Sequence, residues 1–470
     1  MDSNKLSWGR RLGFMMGGLG EAMPYNVYSL YFIFFLTEVA GVGAGIAGTI
    51  SMIAVVWDGI TDPIIGNYSD RCRGRLGRRR TVMSWGIIPL VISFYLMFTK
   101  VSFTGAGQVA YFILVAMVFW LGMTMWIVPF WSLTGELTDS IQEQNNLRTL
   151  VMVLEYAVVF ICTSGPLWCI DYMTGKGKSV ESGWHMAAIL IGLVVLAGCL
   201  ICIFSTKEKP LEKKDVETAA VKEDSIITTF TRLFKMRAYR ILFFFLGISV
   251  IGTSYCGGNL AYIMAYVANM STGAQTAFWT FFSFFSMLLL PFVNVFLNKF
   301  GKREVIMVIC LLFAANCIVF FFVGLDSLIK MILWSILFMT ANATILTYFV
   351  NLAFECSAID EFKTGKQTTG STVSLLSFMQ KVGMAVAQWM VGIILVVVKY
   401  DAAAEVWSDG TIKGLSAAVT LIPAALMIIS ALLLWIYPVR KASLEKLQAA
   451  LEKKRNGEEY STEGFEHLLR

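Results

Sequence analysis

Histidine is nearly missing from these 470 residues, with only His185 and His467 present. A metal centre built on imidazoles needs several to converge, so a His-based metal site is excluded. Charge is scarce as well: Lys, Arg, Asp and Glu together make up 15% of the chain, against about 25% in soluble proteins. A water-soluble fold of this length would leave a large apolar area facing water, which soluble proteins avoid. The nine cysteines form no disulfide framework, because Cys162, Cys169, Cys199, Cys202, Cys256, Cys310 and Cys317 all sit inside apolar runs and read as small core hydrophobes. Cys199 and Cys202 have CxxC spacing, but the intervening Leu200 and Ile201 give no metal or redox context. A nucleophile set, a metal set and a soluble output domain are all lacking, so an enzyme is not expected, and neither is a cofactor.

What is abundant is apolar: 57% of residues are hydrophobic and the mean hydropathy is +0.68. A transmembrane helix uses about 20 such residues, so the composition supplies on the order of twelve spans. A window of about 19 residues places them near 12–37, 44–67, 81–99, 107–132, 147–170 and 184–205, then near 241–268, 274–298, 304–325, 328–356, 370–398 and 414–438. The first apolar run, starting near Leu12, is too long for a signal peptide and lacks a small-residue cleavage site, so it is read as a span. The expected architecture is an all-α membrane protein with twelve transmembrane helices in two six-helix bundles. Residues 1–205 form the N-terminal bundle, 206–240 a polar linker, 241–438 the C-terminal bundle and 439–470 a tail.

In this layout one side of the membrane carries 31 of the 38 Lys and Arg, while the other carries Lys100, Lys176, Lys178, Lys399 and Lys413. The positive-inside bias puts both termini, the linker and the tail in the cytoplasm of a cell (inner) membrane protein. The net charge of +6 is then a topology signal and calls for no nucleic-acid partner. The halves echo each other: Leu76-Gly77-Arg78-Arg79 after the second span is answered by Phe300-Gly301-Lys302-Arg303 after the eighth, an offset of 224 residues. Proteins built from two such repeats hold substrate near the bilayer midplane between them.

An ionisable group at the bilayer centre costs about 2.5 to 3.5 kcal/mol on insertion scales, so each one inside a span is a functional candidate. Asp58 and Asp62 lie four apart in the second span, on one helix face, where they can share a proton or a monovalent cation such as sodium. Glu21 follows Gly17, Gly18 and Gly20 in the first span, Glu155 lies in the fifth, and Lys381 lies in the eleventh opposite these carboxylates. Glu355, at the end of the tenth, falls near the headgroup zone. Trp126 and Trp131 flank Pro129 in a fourth span that also carries Thr124 and Ser132. A proline-broken helix with polar groups is tolerated where it borders a cavity, and indole faces beside hydroxyls suit a sugar.

The run Trp57-Asp58-Gly59-Ile60-Thr61-Asp62-Pro63-Ile64-Ile65-Gly66, followed by Ser69-Asp70-Arg71 and Arg75-Leu76-Gly77-Arg78-Arg79-Arg80, resembles the signature of the glycoside-pentoside-hexuronide:cation symporters. These form the melibiose-permease branch of the major facilitator superfamily. Pro129-Phe130-Trp131-Ser132-Leu133, Asp360-Glu361-Phe362-Lys363-Thr364-Gly365 and Lys381 extend the likeness over both halves. The resemblance implies a cation site at Asp58 and Asp62 with Thr124 beside it, a sugar pocket lined by Trp131, and a central lysine at Lys381. Two positions depart from it. Ile127 stands where the melibiose permease has an acid just ahead of Val128-Pro129, and about Met152 takes the place of an arginine in the fifth span. These departures weaken the case for galactoside binding and make proton coupling as plausible as sodium.

The arginines Arg71, Arg75, Arg78, Arg79 and Arg80 are expected to pair with helix C-terminal carbonyls and with acids such as Glu136 and Asp139, holding an inner gate closed. Leu444, Leu447 and Leu451 recur at helical spacing in the tail, as in a short amphipathic helix on the inner surface. The expected protein is a secondary transporter, working as a monomer in the lipid bilayer, that couples proton or sodium entry to uptake of a sugar, glycoside or hexuronide by alternating access. Glu21, Trp126, Trp131, Glu155 and Lys381 are the candidate substrate contacts. A related branch that moves lysophospholipids with sodium is the alternative within transport. A membrane-embedded enzyme or sensor is the alternative outside it.

Overall fold

The computed structural model describes residues 6–138, 141–208, 226–365, 369–400, 407–456 and 458–469. In chain order the helices are α1 (Trp8–Met16), α2 (Leu19–Glu38), α3 (Ala44–Arg71), α4 (Arg78–Met97), α5 (Ala106–Leu137), α6 (Ile141–Gly175) and α7 (Val180–Ser205). They continue with α8 (Ile226–Lys235), α9 (Arg237–Tyr262), a π-turn (Ile263–Val267), α10 (Thr272–Phe300), α11 (Lys302–Val323), α12 (Leu328–Thr364) and α13 (Thr369–Val397). The last are α14 (Asp409–Ile436), α15 (Lys441–Arg455) and α16 (Glu466–Leu469). Among the described residues, ten helices are long and apolar enough to cross a membrane. The two other long helices, α2 and α10, have 20 and 29 residues.

The chain divides into two compact units, one of residues 1–220, 257–283 and 388–412, the other of 221–256, 284–387 and 413–470. In the first unit α5 packs on α3 and α4, while α2 lies against α6 and α7. A ladder of small residues lets α1 and α2 come this close. A methyl group on Gly13 or Gly17 would strike Ser205 or Phe130, and one on Gly20 would stand 2.5 Å from Trp126 Nε1 and 2.6 Å from Cys199 Sγ. Small residues at such spacing replace side-chain interdigitation by backbone approach, the usual packing device in lipid. The first span differs from the sequence expectation in being two helices, α1 and α2, that meet at Gly17 and Gly18. The fourth also differs, since α5 runs unbroken through Pro129.

In the second unit α12 packs on α11. At 37 residues α12 would span about 55 Å, well beyond a hydrocarbon core of about 30 Å. Its last turns carry Asp360 and Glu361, which are buried by protein rather than lipid. Arg232 of α8 pairs with Asp360 at 3.2 Å, and Arg455 of α15 forms a two-pronged pair with Glu361 at 2.8 and 2.7 Å. The tail helix α15 therefore turns its apolar side, Leu447 and Leu451, onto α12. Its hydrophobic face is satisfied by the protein, where the sequence alone pointed to the inner surface.

Candidate functional site

Asp58 sits in the middle of α3 and is 2% exposed. A carboxylate out of water costs several kcal/mol unless hydrogen bonds, a proton or a cation compensate. Thr124 Oγ1, from α5, lies 2.7 Å from Asp58 Oδ1 and donates to it. Thr61 Oγ1 stands 3.2 Å from Thr124 Oγ1 and 3.1 Å from the Asp58 carbonyl. Pro63 has no N–H, so the carbonyl of Gly59 loses its helical donor between the two aspartates. Asp62 is half-buried one turn further along. The result is a set of oxygens, one buried carboxylate with two hydroxyls against it, of the kind that suits a proton or a hard monovalent cation. Among the described residues no three His, Cys, Asp or Glu side chains converge into a metal cluster.

Two turns along the same face of α5, Trp131 donates its indole N–H to Glu21 Oε2 of α2 at 2.7 Å. Both residues are half-buried. Glu155 of α6 reaches towards the start of α2, where a methyl on Gly18 would lie 3.7 Å from its Cγ. Its Oε1 is buried and has no hydrogen-bond donor among the described residues. Trp126 is fully buried, stacks on Phe130 at 5.9 Å and donates to the Gly17 carbonyl at 3.0 Å. Its indole N–H is therefore committed to holding the glycine ladder. Lys381 stands half-buried on α13 in the second unit, beside a close crossing in which a methyl on Gly383 would stand 3.0 Å from the Gly247 carbonyl of α9.

The structure adds residues that the sequence does not single out. Tyr25 and Tyr28 continue the Glu21 face of α2 at helical spacing. Tyr28 shares a 2.8 Å hydrogen bond with Ser51, and both rings meet Trp120 edge-on at 6.3 and 5.2 Å. The i, i+4, i+7 recurrence of Glu21, Tyr25 and Tyr28 was the available signal. Thr61 lies within the signature run of α3 and carries no charge, so nothing set it apart.

The basic loops do the same two things in each half. Arg78 Nε donates to Glu136 at 2.8 Å, and Arg80 donates to the Ile203 carbonyl at the end of α7 at 2.9 Å. The backbone N–H groups of Arg79 and Arg80 cap α4 onto the Glu208 carboxylate at 3.2 and 2.7 Å, and Arg79 reaches Ser69 at 2.7 Å. In the second half, Lys302 pairs with Glu355 at 2.9 Å and Arg303 donates to the Leu434 carbonyl at 2.8 Å. Gly77 and Gly301 precede the two helices with φ of 111° and 98°, a region that favours glycine. Arg75 is exposed, whereas the side chain of Arg71 and the whole of Asp139 lie outside the described residues.

The family model described as MFS/sugar transport protein matches residues 2–441. The chain belongs to that family. It is therefore a multi-pass membrane transporter of the major facilitator type, and not an enzyme. Among its relatives is the putative glycoside/cation symporter YagG of Escherichia coli (strain K12), 24% identical over 95% of each chain. Another is a glucuronide carrier protein homolog of the same organism, 23% identical over 96% of this transporter and 97% of the relative. The fold is shared with the crystal structure of a D-xylose-proton symporter, at a TM-score of 0.63 and 16% identity over 92% of this chain and 97% of that one.

Proposed function

We propose that this transporter is a cation-coupled symporter of a sugar or glycoside, working by alternating access between an N-terminal half, 1–205, and a C-terminal half, 241–438. One observation carries the reading. A single helix, α5, supplies Thr124 to the Asp58 carboxylate and Trp131 to the Glu21 carboxylate, seven residues or about 10 Å apart on one face. A change of occupancy at Asp58 is thereby passed along α5 to the pocket side. The proton or sodium ion loads at Asp58 and Asp62 with Thr124 as neighbour. The sugar then lies against Trp131, its hydroxyls donating to Glu21 and Glu155, with Trp126 as the wall behind.

Lys381 of α13 is a further candidate substrate contact. Arg71, Arg75, Arg78 and Arg79 are the gating residues, which hold the inner gate closed in one state, and the pairs of Arg78 with Glu136 and Arg79 with Ser69 support that role. The likeness to proteins named as a glycoside/cation symporter and a glucuronide carrier homolog supports this substrate class. The test is Asp58→Asn in cells expressing the protein. Gradient-driven accumulation should be lost while the membrane level of the protein is unchanged, and undiminished accumulation would overturn the cation-site assignment.

A further inference from the structure

In the first unit the end of α2, the start of α3, the end of α9 with its π-turn and the end of α13 come together. Glu38, the last residue of α2, accepts a hydrogen bond from the phenol of Tyr266. Its neighbour Thr37, 3% exposed, shares a 2.8 Å hydrogen bond with the Tyr262 hydroxyl. Tyr262 meets Tyr400 edge-on at 5.6 Å, and Tyr266 stacks on Trp407 at 4.0 Å. Beneath this ring cluster α3 and α13 approach closely at two glycines, so that a methyl on Gly48 or Gly392 would stand 2.9 Å from the other's Cα. Gln108 donates to the Ala40 carbonyl at 2.7 Å and pins the turn just past Glu38.

Two features make this seam one that can part. Its cross-contacts are hydroxyl, carboxyl and ring contacts over a glycine crossing. The polar groups exchange readily for water, and the glycines leave no interlocked side chains to withdraw. The π-turn Ile263–Val267 is of a rare kind found frequently at functional sites. It carries Tyr266 but not Tyr262. A return to α-helical winding would remove one residue from the turn and rotate the chain beyond it by about 100°, taking Tyr266 off Glu38 while Tyr262 stays in place.

We propose that Glu38 and Tyr266 are positioning residues that latch the outer gate, with the π-turn as its hinge and the Gly48–Gly392 crossing as its seam. The proposal rests on the alternating-access reading and adds the residues that shut one of the two doors. The first test needs no substrate. Phe34→Cys, whose native ring meets Tyr262 at 5.4 Å, is labelled from outside by a membrane-impermeant maleimide in intact cells. Eight of the native cysteines are buried and Cys72, at the far end of α3, is half-buried.

Adding Tyr266→Phe should raise the labelling rate about tenfold, the shift expected when a charge-assisted hydrogen bond is lost. Glu38→Gln, which keeps an acceptor, should raise it less. Unchanged labelling in both variants overturns the latch. In a second arm, Glu38→Cys with Tyr266→Cys is bridged by a short bis-maleimide. Uptake should stop in the bridged protein and continue after a monofunctional maleimide; equal uptake after both overturns the gate. Because labelling reports closure without any sugar, it can succeed where the symport reading fails.

Discussion

Replacing Thr124 by valine removes one hydroxyl at nearly constant volume and takes from Asp58, 2% exposed, its 2.7 Å donor. Hydrogen bonds to charged groups contribute about 1.5 to 3 kcal/mol, and about 1.4 kcal/mol corresponds to a factor of ten. The equilibrium at Asp58 should therefore move by roughly 10- to 150-fold. The titration that moves identifies the ion. If sodium is coupled, the lost hydroxyl oxygen was a ligand, and the sodium concentration giving half-maximal uptake rises. If a proton is coupled, the lost donor alters proton loading at Asp58, and the pH profile of uptake shifts while the sodium titration does not. Thr61, 3.2 Å from the Thr124 hydroxyl, can replace part of the lost donation, so the lower end of the range is expected. Thr124→Ser keeps the oxygen and should stay within about threefold of the wild type. Sugar uptake into energised vesicles, titrated separately with sodium and with pH, is the assay. Valine curves that superimpose on wild type in both titrations would refute the assignment of Thr124 to the cation site.

The contacts of Trp131 and Gly20 set two further outcomes. Trp131→Phe keeps an aromatic face but loses the 2.7 Å bond to Glu21, so KM for the sugar should rise about tenfold with cation dependence unchanged; a loss confined to cation dependence would argue against the pocket. Gly20→Val drives a methyl into Trp126 and Cys199, 2.5 and 2.6 Å from the position of its Cβ, which should cost about 1 to 3 kcal/mol or more by overpacking. A lower melting temperature in detergent is the readout, and wild-type melting would contradict the close approach of α2.

The membrane fold and the charged members of the proposed site stand out in the sequence for the same reason. Against 57% hydrophobic residues, Asp58, Asp62, Glu21 and Lys381 stand out, because lipid makes each of them costly. The uncharged members were not legible. Thr61, Tyr25 and Tyr28 have ordinary apolar-helix composition, and only their facing partners on α3 and α5 mark them out. The repeat of Arg78 and Lys302 was visible as a four-residue echo, but its use, an acid on one side and a helix-end carbonyl on the other, needed coordinates. The same holds for the tail, whose leucine spacing fits either lipid or protein, and only the burial of Leu447 and Leu451 on α12 decides between them. The contact from Glu38 to Tyr266 spans 228 residues of sequence, and no local pattern announces it.

The central claim is coupling, and ion movement on addition of substrate tests it most directly. Vesicles containing the protein, monitored for proton and sodium entry, receive a panel of sugars, glycosides and hexuronides and, separately, a lysophospholipid. The account predicts that at least one sugar drives proton or sodium uptake, and that Asp58→Asn abolishes that signal. Silence across the sugar panel together with ion entry on addition of lysophospholipid would contradict it.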